Sequence, residues 1–462
     1  MAYSTRVLEV IGSDLEVPLL DTTRCRYVNF DNAASTPVLK TVQDGVNRFL
    51  QWYSSIHRGA GFKSQLATWA YEEARHLLVE FLGGEGDERV VIFGKNTTEA
   101  INKLANRYPF KKDEILLSTV MEHHSNDLPW RRHVPIKKIE VDDFGRVDLE
   151  QFERALKEGG GRIPLVAVSG ASNVTGIINP VYEIAQLAHE HGAELFVDAA
   201  QLAPHRKINM RRRGDLEAID YLALSAHKMY APYGTGALIG WPQVFEQGDP
   251  DYSGGGTVQV VTDEEVLWRT PPDKEEAGSP NVVGAVALGL SVRALQGTGM
   301  DSIAKHESIL TDRLLQGLRK NQAIEVYGPP EADVDSRLGV VSLNVKDMYH
   351  AKTAAILGCE FGIGVRNGCF CAHPYIKRLL KLDARDSEKF VNNIKRGVRV
   401  NLPGMVRISF GVYNTVEEVD YVLESLRKVS EGKYRGDYVL DSTLGEYWPK
   451  GFSPSYRDYF TF

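Results

Sequence analysis

Short apolar runs alternate with segments of helical periodicity over most of the chain. Six runs of four or five residues are rich in apolar side chains and end in a polar residue or are followed by a polar residue or glycine, which predicts buried strands. Val181–His191 and Thr98–Arg107 place apolar residues at helical spacing, which predicts helices. The predicted strands are Arg89–Phe93, Glu114–Ser118, Leu165–Ser169, Glu194–Val197, Tyr221–Leu224 and Gly236–Ile239.

Strands that alternate with helices predict an α/β fold with a largely parallel sheet, whose ligands bind beyond the carboxyl ends of the strands. The segment Val283–Leu318 reads as mostly helical and leads into a second region, with strands predicted at Gly339–Val345 and Met405–Phe410 and a helix at Thr415–Val429. We predict an N-terminal segment packed on the smaller domain (1–40), a large domain (41–290), a small C-terminal domain (291–440) and an aromatic-rich tail packed on the body (441–462).

Composition narrows the class of protein. The 462 residues are 43% hydrophobic and 25% charged, as in a globular protein, and 54 basic against 61 acidic residues give a net charge of −7, which argues against nucleic-acid binding. No apolar run reaches the length of a membrane span, and Glu9, Asp14 and Glu16 interrupt the first twenty residues, so no signal peptide is expected. Four cysteines do not make a disulfide framework, and the expected location is the cytoplasm.

An amine follows directly on one predicted strand. The segment Tyr221–Gly236 ends its apolar run in Ser225, then His227 and Lys228, and turns through Pro and Gly. A lysine held at the end of a buried strand is partly desolvated, and in an imine with an aldehyde cofactor it is already activated. Ser225 and His227 offer donors to a phosphate. The alternative is a surface turn in which Lys228 is solvated.

Polar side chains follow the other strands as well. Asp198 ends Glu194–Val197, where it suits a protonated pyridine nitrogen or, alternatively, caps the next helix, and Gln201 lies within reach of a ring hydroxyl. Thr97 and Thr98 open a helix whose free N–H groups favour phosphate, although Thr97 also suits simple capping. Each signal is weak alone, but all fall where a parallel sheet gathers its site. The other candidates are His123, for stacking and proton transfer, and Asn173, for a ring hydroxyl.

Taken together, SAHKMYAPYGTG, VDAAQ, KNTTEAIN, MEHHSN, SNVTG and AGSPN resemble the class V group of fold-type I pyridoxal-phosphate (PLP) enzymes, and within it the cysteine desulfurases and selenocysteine lyases of the second kind. The resemblance runs from about Tyr27 to Leu426. It implies a large domain with a mainly parallel seven-stranded sheet sandwiched by helices, and a smaller α+β domain. It also implies a homodimer with a shared active site, a small amino-acid substrate and a protein that accepts the sulfur. No metal is expected, because the adjacent His123 and His124 rarely point at the same ion and no matching third ligand is evident.

The resemblance assigns roles by position. Lys228 would carry PLP covalently, Asp198 would pair with the pyridine nitrogen and His123 would stack on the ring. Asn173 and Gln201 would contact the ring oxygen. The phosphate would be bound by Thr97, Thr98, Ser225 and His227, with Ser279 of AGSPN reaching the phosphate of the partner subunit. Arg407 would grip the substrate carboxylate, with Arg366 and Asn173 beside it.

The segment Gly364–Pro374, GVRNGCFCAHP, resembles the nucleophile loop of that family and places the nucleophile at Cys371. Cysteine would then lose its sulfur to Cys371, leaving alanine and an enzyme persulfide. Alternatives on the same scaffold are an aminotransferase, an epimerase or a C–S lyase, for which Cys371 is incidental. A nicotinamide-linked oxidoreductase lacks support because no G-x-G-x-x-G stands between a strand and a helix.

Two features depart from the family pattern. Cys369 and Phe370 stand where the family has two histidines, and Cys369 would assist, compete, pair with Cys371 or simply be a small buried residue. Cys371 and Arg407 are also 36 positions apart, because of a charged insert, Lys377–Arg399, which we expect to shape the entrance or a partner surface. The basic triplet Arg211–Arg213 favours a solvated turn over a partner site, although it is also where we would look for an acidic sulfur acceptor.

Overall fold

The large sheet has the predicted number and direction of strands. The computed structural model describes residues 7–84, 88–400 and 402–462. In it a seven-stranded sheet is parallel throughout, except that Gly236–Gly240 runs antiparallel to both of its neighbours. In spatial order the strands are Val90–Gly94, Gly236–Gly240, Tyr221–Ser225, Glu194–Asp198, Leu165–Ser169, Leu116–Thr119 and Ile136–Ile139.

Both faces of this sheet are covered, which explains why its strands read as continuous apolar runs. Val166 and Val168 point into one core while Leu165 and Ala167 point into the other, the alternation that a pleated strand imposes. The strand that the sequence analysis missed, Ile136–Ile139 (IKKI), lies at the edge of the sheet. Its two lysines suit an edge strand but weaken the apolar pattern by which the other six were found.

A second core lies around a four-stranded antiparallel sheet. Its strands, in spatial order, are Ile324–Tyr327, Val340–Val345, Met405–Ser409 and Arg366–Gly368. The helix Met300–Leu318 joins the two cores, because Met300 and Ile303 lie in the first and Leu310 through Leu318 lie in the second. The observed sheets and helices confirm the predicted α/β fold with a smaller α+β part.

The two ends of the chain pack on the second core. Near the N-terminus, Val28–Asn29 pairs with Ile363–Gly364, and Val28 and Phe30 are buried there. Near the C-terminus, Tyr447 and Phe452 pack on the same core, whereas the last aromatic residues, such as Phe462, are exposed. The predicted domain boundaries at residues 40, 290 and 440 stay predictions.

The charged insert forms a surface helix. The helix Ala384–Lys395 is capped by the side chain of Asp383, and none of its own side chains is buried.

Among the described residues, no single helix is long and apolar enough to cross a membrane. The helices Val282–Thr298 and Met300–Leu318, which are bent by 78° to each other, meet the length and composition of a membrane span only when they are taken as a pair.

The remaining elements surround these sheets. The helices are Lys40–Leu50, Phe62–Phe81, Thr97–Arg107, Leu149–Gly159, Val181–Glu190, Gln243–Glu246, Val282–Thr298, Met300–Leu318, His350–Phe361, His373–Leu379, Ala384–Lys395 and Val416–Ser430. Short strand pairs join Glu16–Pro18 with Arg24–Arg26, Val258–Val261 with Val266–Trp268, and Tyr438–Asp441 with Glu446–Pro449.

Candidate active site

A cavity of about 220 Å³ opens at the carboxyl ends of the parallel strands, between the two cores. Its lining includes every candidate residue of the sequence analysis except Ser279, which is exposed and lies outside it. The candidates that line it are Thr97, Thr98, His123, Asn173, Asp198, Gln201, Ser225, His227, Lys228, Arg366, Cys371 and Arg407.

Lys228 lies on a single helical turn, Ala226–Lys228, that follows the strand Tyr221–Ser225. Burial lowers the pKa of its amine to about 8, against the opposing attraction of Asp198. An amine with such a pKa is partly neutral at physiological pH and therefore able to attack a carbonyl carbon. The structure therefore does not support the alternative in which Lys228 lies solvated on a surface turn.

Asp198 ends the neighbouring strand Glu194–Asp198 and is buried. Its Oδ1 accepts one hydrogen bond, 3.0 Å from the backbone nitrogen of Ala200, and burial raises the pKa of its carboxyl group, against that hydrogen bond and the charge of Lys228. A buried carboxylate is costly unless a cation or donor meets it. The free side of Asp198 therefore suits a cationic ligand nitrogen.

Hydroxyl and N–H groups converge at one end of the cavity. The helix Thr97–Arg107 begins there, capped by Asn96, and the Thr97 nitrogen and hydroxyl lie 2.8 and 2.7 Å from the Ser225 hydroxyl. The approach is possible because residue 236 is glycine: a Cβ there would lie 2.6 Å from the backbone of Asn96. A helix N-terminus with added hydroxyls is an anion-binding arrangement.

His123 is held in one orientation and stays neutral. Its Nδ1 accepts a hydrogen bond from the backbone nitrogen of Ser125 at 3.1 Å, which leaves the ring proton on Nε2. Burial, with the nearby charges of Lys228 and Arg407, lowers the pKa of His123 to about 3. The preceding side chain, Glu122, is buried and accepts hydrogen bonds from Thr119, Asn126 and Ser169, so it anchors the same loop.

Three further candidates are fixed by hydrogen bonds, two to backbone carbonyls and one to a serine hydroxyl. The Gln201 amide donates to the Ala33 carbonyl at 2.7 Å, and the Asn173 amide donates to the Phe370 carbonyl at 2.8 Å. His227 lies with its Nδ1 3.3 Å from the Ser35 hydroxyl, and burial lowers its pKa to about 4. These contacts fix the three side chains around the cavity.

Cys371 lies on a tight turn of residues 369–372. The Ala372 nitrogen donates to the Cys369 carbonyl at 2.9 Å, and the two central residues have positive φ angles, 49° at Phe370 and 55° at Cys371. At positive φ, residues other than glycine are destabilised by about 1–2 kcal/mol each, so contacts with other residues must stabilise the turn. The backbone nitrogen of His124 supplies one, donating to the Cys371 carbonyl at 2.7 Å, and Asn173 supplies the other.

Arg407 is buried, and its guanidinium is only partly engaged. One nitrogen donates to the Asn173 carbonyl at 3.0 Å and another to Asp31 at 3.0 Å, whereas its buried Nε has no partner among the described residues. Burial lowers the pKa of Arg407 to about 10, against the attraction of Asp31. Arg366, more exposed, lies 3.7 Å from the other oxygen of Asp31. Arg407 and Arg366 together offer an anion one buried donor and one donor at the mouth of the cavity.

The sequence analysis missed Asp31, Phe370 and Ser125. Asp31 follows the short segment Tyr27–Phe30, YVNF, in which Asn29 interrupts the apolar pattern by which the other strands were found. Phe370 stacks under Arg407, with 4.8 Å between the guanidinium carbon and the ring centroid, a contact no local pattern signals. Ser125, whose hydroxyl lies 2.6 Å from that of Thr98, belongs to the motif that yielded His123.

The family model described as aminotransferase class-V matches residues 28–422. The chain belongs to the aminotransferase class-V family. Among class-V relatives, the cysteine desulfurase of Haloferax volcanii is 34% identical over 435 residues, which span 91% of this chain and 94% of that protein. The probable cysteine desulfurase of Pyrococcus abyssi is 36% identical over 411 residues, or 87% and 94% of the two chains.

Solved structures place the fold in the same class-V group. The apo structure of the cysteine desulfurase from Thermococcus onnurineus NA1 superposes with a TM-score of 0.77 at 34% identity, covering 88% of this chain and 95% of that one. The cysteine desulfurase CsdA of Escherichia coli gives a TM-score of 0.73 over the same shares, but at 24% identity it supports the fold alone. The predicted family and fold are confirmed, and the chain is an enzyme of this class.

Proposed function

We propose that this enzyme is a PLP-dependent cysteine desulfurase, which converts L-cysteine to L-alanine and leaves the sulfur as a persulfide on Cys371. The observation that carries the proposal is that a cysteine thiol and a half-buried lysine amine of lowered pKa line one cavity. The names of the relatives support the same activity. An aminotransferase or epimerase has no need of a thiol there.

The residues present suit PLP. The cavity offers an amine for the aldehyde at Lys228, an acid for the ring nitrogen at Asp198 and an anion-binding helix start at Thr97. The buried carboxylate of Asp198 has an unpaired side in the described structure, and a cationic ring nitrogen would supply the positive partner that this side lacks. Bound PLP would supply an electron sink for the carbanion formed at the substrate α carbon. Gln201, Asn173 and His123, which line the same cavity, would then border the ring.

Arg407 would bind the substrate carboxylate. Its side chain lines the cavity and its buried Nε has no partner among the described residues, so a substrate carboxylate would give this guanidinium a partner that it lacks. Asp31 and the Asn173 carbonyl hold the rest of the guanidinium in place. Arg366 would add attraction at the mouth, weakly because its side chain is 57% exposed.

Lys228 would move the proton. Once its amine is released by the incoming amino group, its pKa of about 8 lets it take a proton from the substrate α carbon and return one to the alanine product. His123, neutral with the proton on Nε2, would be placed as a donor rather than as a second base.

Cys371 would take the sulfur. Its thiolate attacks the substrate sulfur, the carbon–sulfur bond breaks, and its electron pair takes up a proton to give alanine. The sulfur remains on Cys371 as a persulfide, so cysteine and thiol are converted to alanine and persulfide without an outside oxidant. The turn that holds Cys371 presents its exposed side chain to the cavity.

The sulfur acceptor would approach over the basic insert. Cys371 also lines a second, outer cavity of about 440 Å³, bordered by Phe390 and Ile394 of the surface helix Ala384–Lys395. Residues 377–399 carry eight basic and three acidic residues, a local charge of +5 in a chain of −7. An acidic protein that presents a thiol fits this entrance by charge.

The proposal also includes a homodimer in the cytoplasm. Ser279 is exposed outside the cavity, as a residue that completes a partner's phosphate site would be in one isolated chain. All four cysteines are free thiols, the state that a reducing compartment maintains.

The test is product analysis on PLP-loaded protein. Incubated with L-cysteine and a small-thiol acceptor, it is expected to release alanine and sulfide in equal amounts without pyruvate. Cys371→Ala should lose both products while keeping the cofactor absorbance, whereas Cys25→Ser, at a cysteine outside both cavities, should behave as the unchanged protein. Pyruvate in place of alanine would indicate a C–S lyase, and full activity of Cys371→Ala would refute the proposal.

The acceptor surface is tested separately with synthetic peptides. An acidic peptide with one cysteine should remove the sulfur faster than a basic one, and K389E/K395E/R396E should reverse that preference. The matched control is R211E/R212E/R213E, the other basic cluster, which should leave the preference unchanged. Equal rates for both peptides in every variant would contradict the assignment of this surface.

A further inference from the structure

Cys369 and Cys371 occupy the first and third positions of the same tight turn. The hydrogen bond between the Ala372 nitrogen and the Cys369 carbonyl closes the turn, and the contacts of Asn173 and His124 fix its two inner carbonyls. The backbone positions of the two cysteines are therefore fixed relative to each other by a held turn rather than by a flexible loop.

Both thiols open on the same space. Cys369 and Cys371 line the outer cavity of about 440 Å³, whereas of the two only Cys371 also lines the cavity that contains Lys228. Burial raises the pKa of Cys369, and the neighbouring Cys371 raises it further. A sulfur atom carried outward on Cys371 is thus in the compartment that Cys369 faces.

We propose that Cys369 is a resolving thiol for a persulfide on Cys371. The Cys369 thiolate attacks the Sγ atom of Cys371, a Cys369–Cys371 disulfide forms, the sulfur–sulfur bond of the persulfide breaks, and the outer sulfur leaves with the electron pair as hydrosulfide. The two cysteine sulfurs are oxidised and the sulfane sulfur is reduced to sulfide, so the step needs no outside oxidant. A dithiol reductant then restores both thiols.

The resting state of Cys369 makes this step slow. Its thiol donates a hydrogen bond to the Pro403 carbonyl, with 2.9 Å between sulfur and oxygen, and burial raises its pKa to about 11, against the charge of Lys377. The thiol must break this hydrogen bond and ionise before it attacks, because only the thiolate is nucleophilic. An acceptor that arrives promptly therefore takes the sulfur first, and the disulfide forms when none arrives.

This inference deepens the proposed function and rests on it for the origin of the persulfide. The decisive experiment avoids that dependence by loading the sulfur without substrate. Cofactor-free protein is treated briefly with inorganic polysulfide, desalted, and followed by intact mass spectrometry and sulfide release. The expected result is that the mass first gains one sulfur and then falls to two hydrogens below the reduced protein, as one sulfide per chain is released.

Two variants separate the outcomes. Cys369→Ser should keep the added sulfur after the unchanged chain has lost it, and Cys371→Ser should form no disulfide within the turn. Cys25→Ser should follow the unchanged chain. Peptide mapping must find the disulfide between residues 369 and 371; a persulfide found on Cys369, or equal persistence of the sulfur with and without Cys369, overturns the proposal.

The same comparison is then made with PLP-loaded protein and L-cysteine, without acceptor. The unchanged chain should make one alanine per chain and stop as the disulfide, and a dithiol should restart it. Cys369→Ser should make the same first alanine and stop as the persulfide. Absence of alanine from both proteins would refute the proposed function while leaving the polysulfide result to decide the role of Cys369.

Discussion

The active-site cavity has two unlike sides. We call its large-sheet side the floor, which carries Thr97, His123, Asp198, Ser225 and Lys228, and its other side the wall, which carries Arg366, Phe370, Cys371 and Arg407. Floor residues follow strands buried on both faces and are held by short hydrogen bonds to neighbouring elements. The nucleophilic part of the wall is a turn at positive φ, with an exposed thiol and a basic surface helix beyond it.

The difference separates two kinds of chemistry. The floor offers an amine, an acid and an anion site, which suit amino-acid chemistry on an aldehyde cofactor in general. In the proposed function the wall would decide which amino acid enters and what leaves it, because Arg407, proposed to bind the carboxylate, and the Cys371 thiol are both there. Changes to the floor should therefore abolish every reaction, and changes to the wall should alter one step.

The largest effect is expected from the floor. Lys228→Ala should lower alanine formation from L-cysteine by at least ~10³-fold, because both the covalent attachment and the proton transfer are lost. Borohydride trapping followed by peptide mapping should find a cofactor adduct at residue 228 in the unchanged protein and none in the variant. Near-normal turnover by the variant would show that another amine does this work.

A second floor substitution should be milder. Asp198→Asn should lower turnover by ~10²-fold, because a neutral amide no longer keeps the ring nitrogen cationic. The cofactor should still bind, and titration of its absorbance with pH should show the ring nitrogen losing its proton at lower pH than in the unchanged protein. An unaltered titration would mean that Asp198 does not face that nitrogen.

Two arginines on the wall allow a matched test. Arg407→Lys should raise KM for L-cysteine by ~10- to 100-fold, the loss of a charged hydrogen bond in a buried setting. Arg366→Lys should change KM by less than ~3-fold, because exposed ion pairs contribute little. Steady-state kinetics on both variants decide the point, and equal effects would contradict the difference in burial between them.

The remaining expected effect is a pH dependence, which requires no substitution. A lysine of lowered pKa is protonated below about 8, and only the neutral amine attacks an aldehyde, so the rate at which cofactor-free protein captures PLP should fall by ~10-fold per pH unit below about 8 and level off above it. His123 stays neutral throughout, with a pKa of about 3, so it adds no inflection. Stopped-flow absorbance measures the rate, and a plateau reached only near pH 10 would show an ordinary lysine.

The floor could be predicted from sequence for a physical reason. In a parallel sheet the residue after each strand is brought to the same edge, so Lys228, Asp198 and Thr97 could be grouped without knowing any distance. Their confirmed proximity does not confirm their roles, which stay predictions.

The wall was less predictable. Its position depends on how a turn, a second sheet and the N-terminal segment meet, and no local pattern encodes that. The resemblance supplied Cys371 and Arg407, but not the contact of Phe370 with Arg407 or the bridge that Asp31 makes between the two arginines. The edge strand Ile136–Ile139 was missed because its outward lysines hide the apolar pattern.

Position 236 has a consequence for how this chain can vary. Its α carbon faces the backbone of Asn96 so closely that even one methyl group would collide with it and with the Leu224 carbonyl. Backbone atoms cannot rotate away as a flexible side chain can, so such a collision would displace the whole start of the neighbouring helix. The geometry of the proposed anion site therefore depends on glycine at position 236, which has only a hydrogen atom where other residues have a Cβ. A substitution there is expected to disturb the anion site although residue 236 itself would not contact the anion.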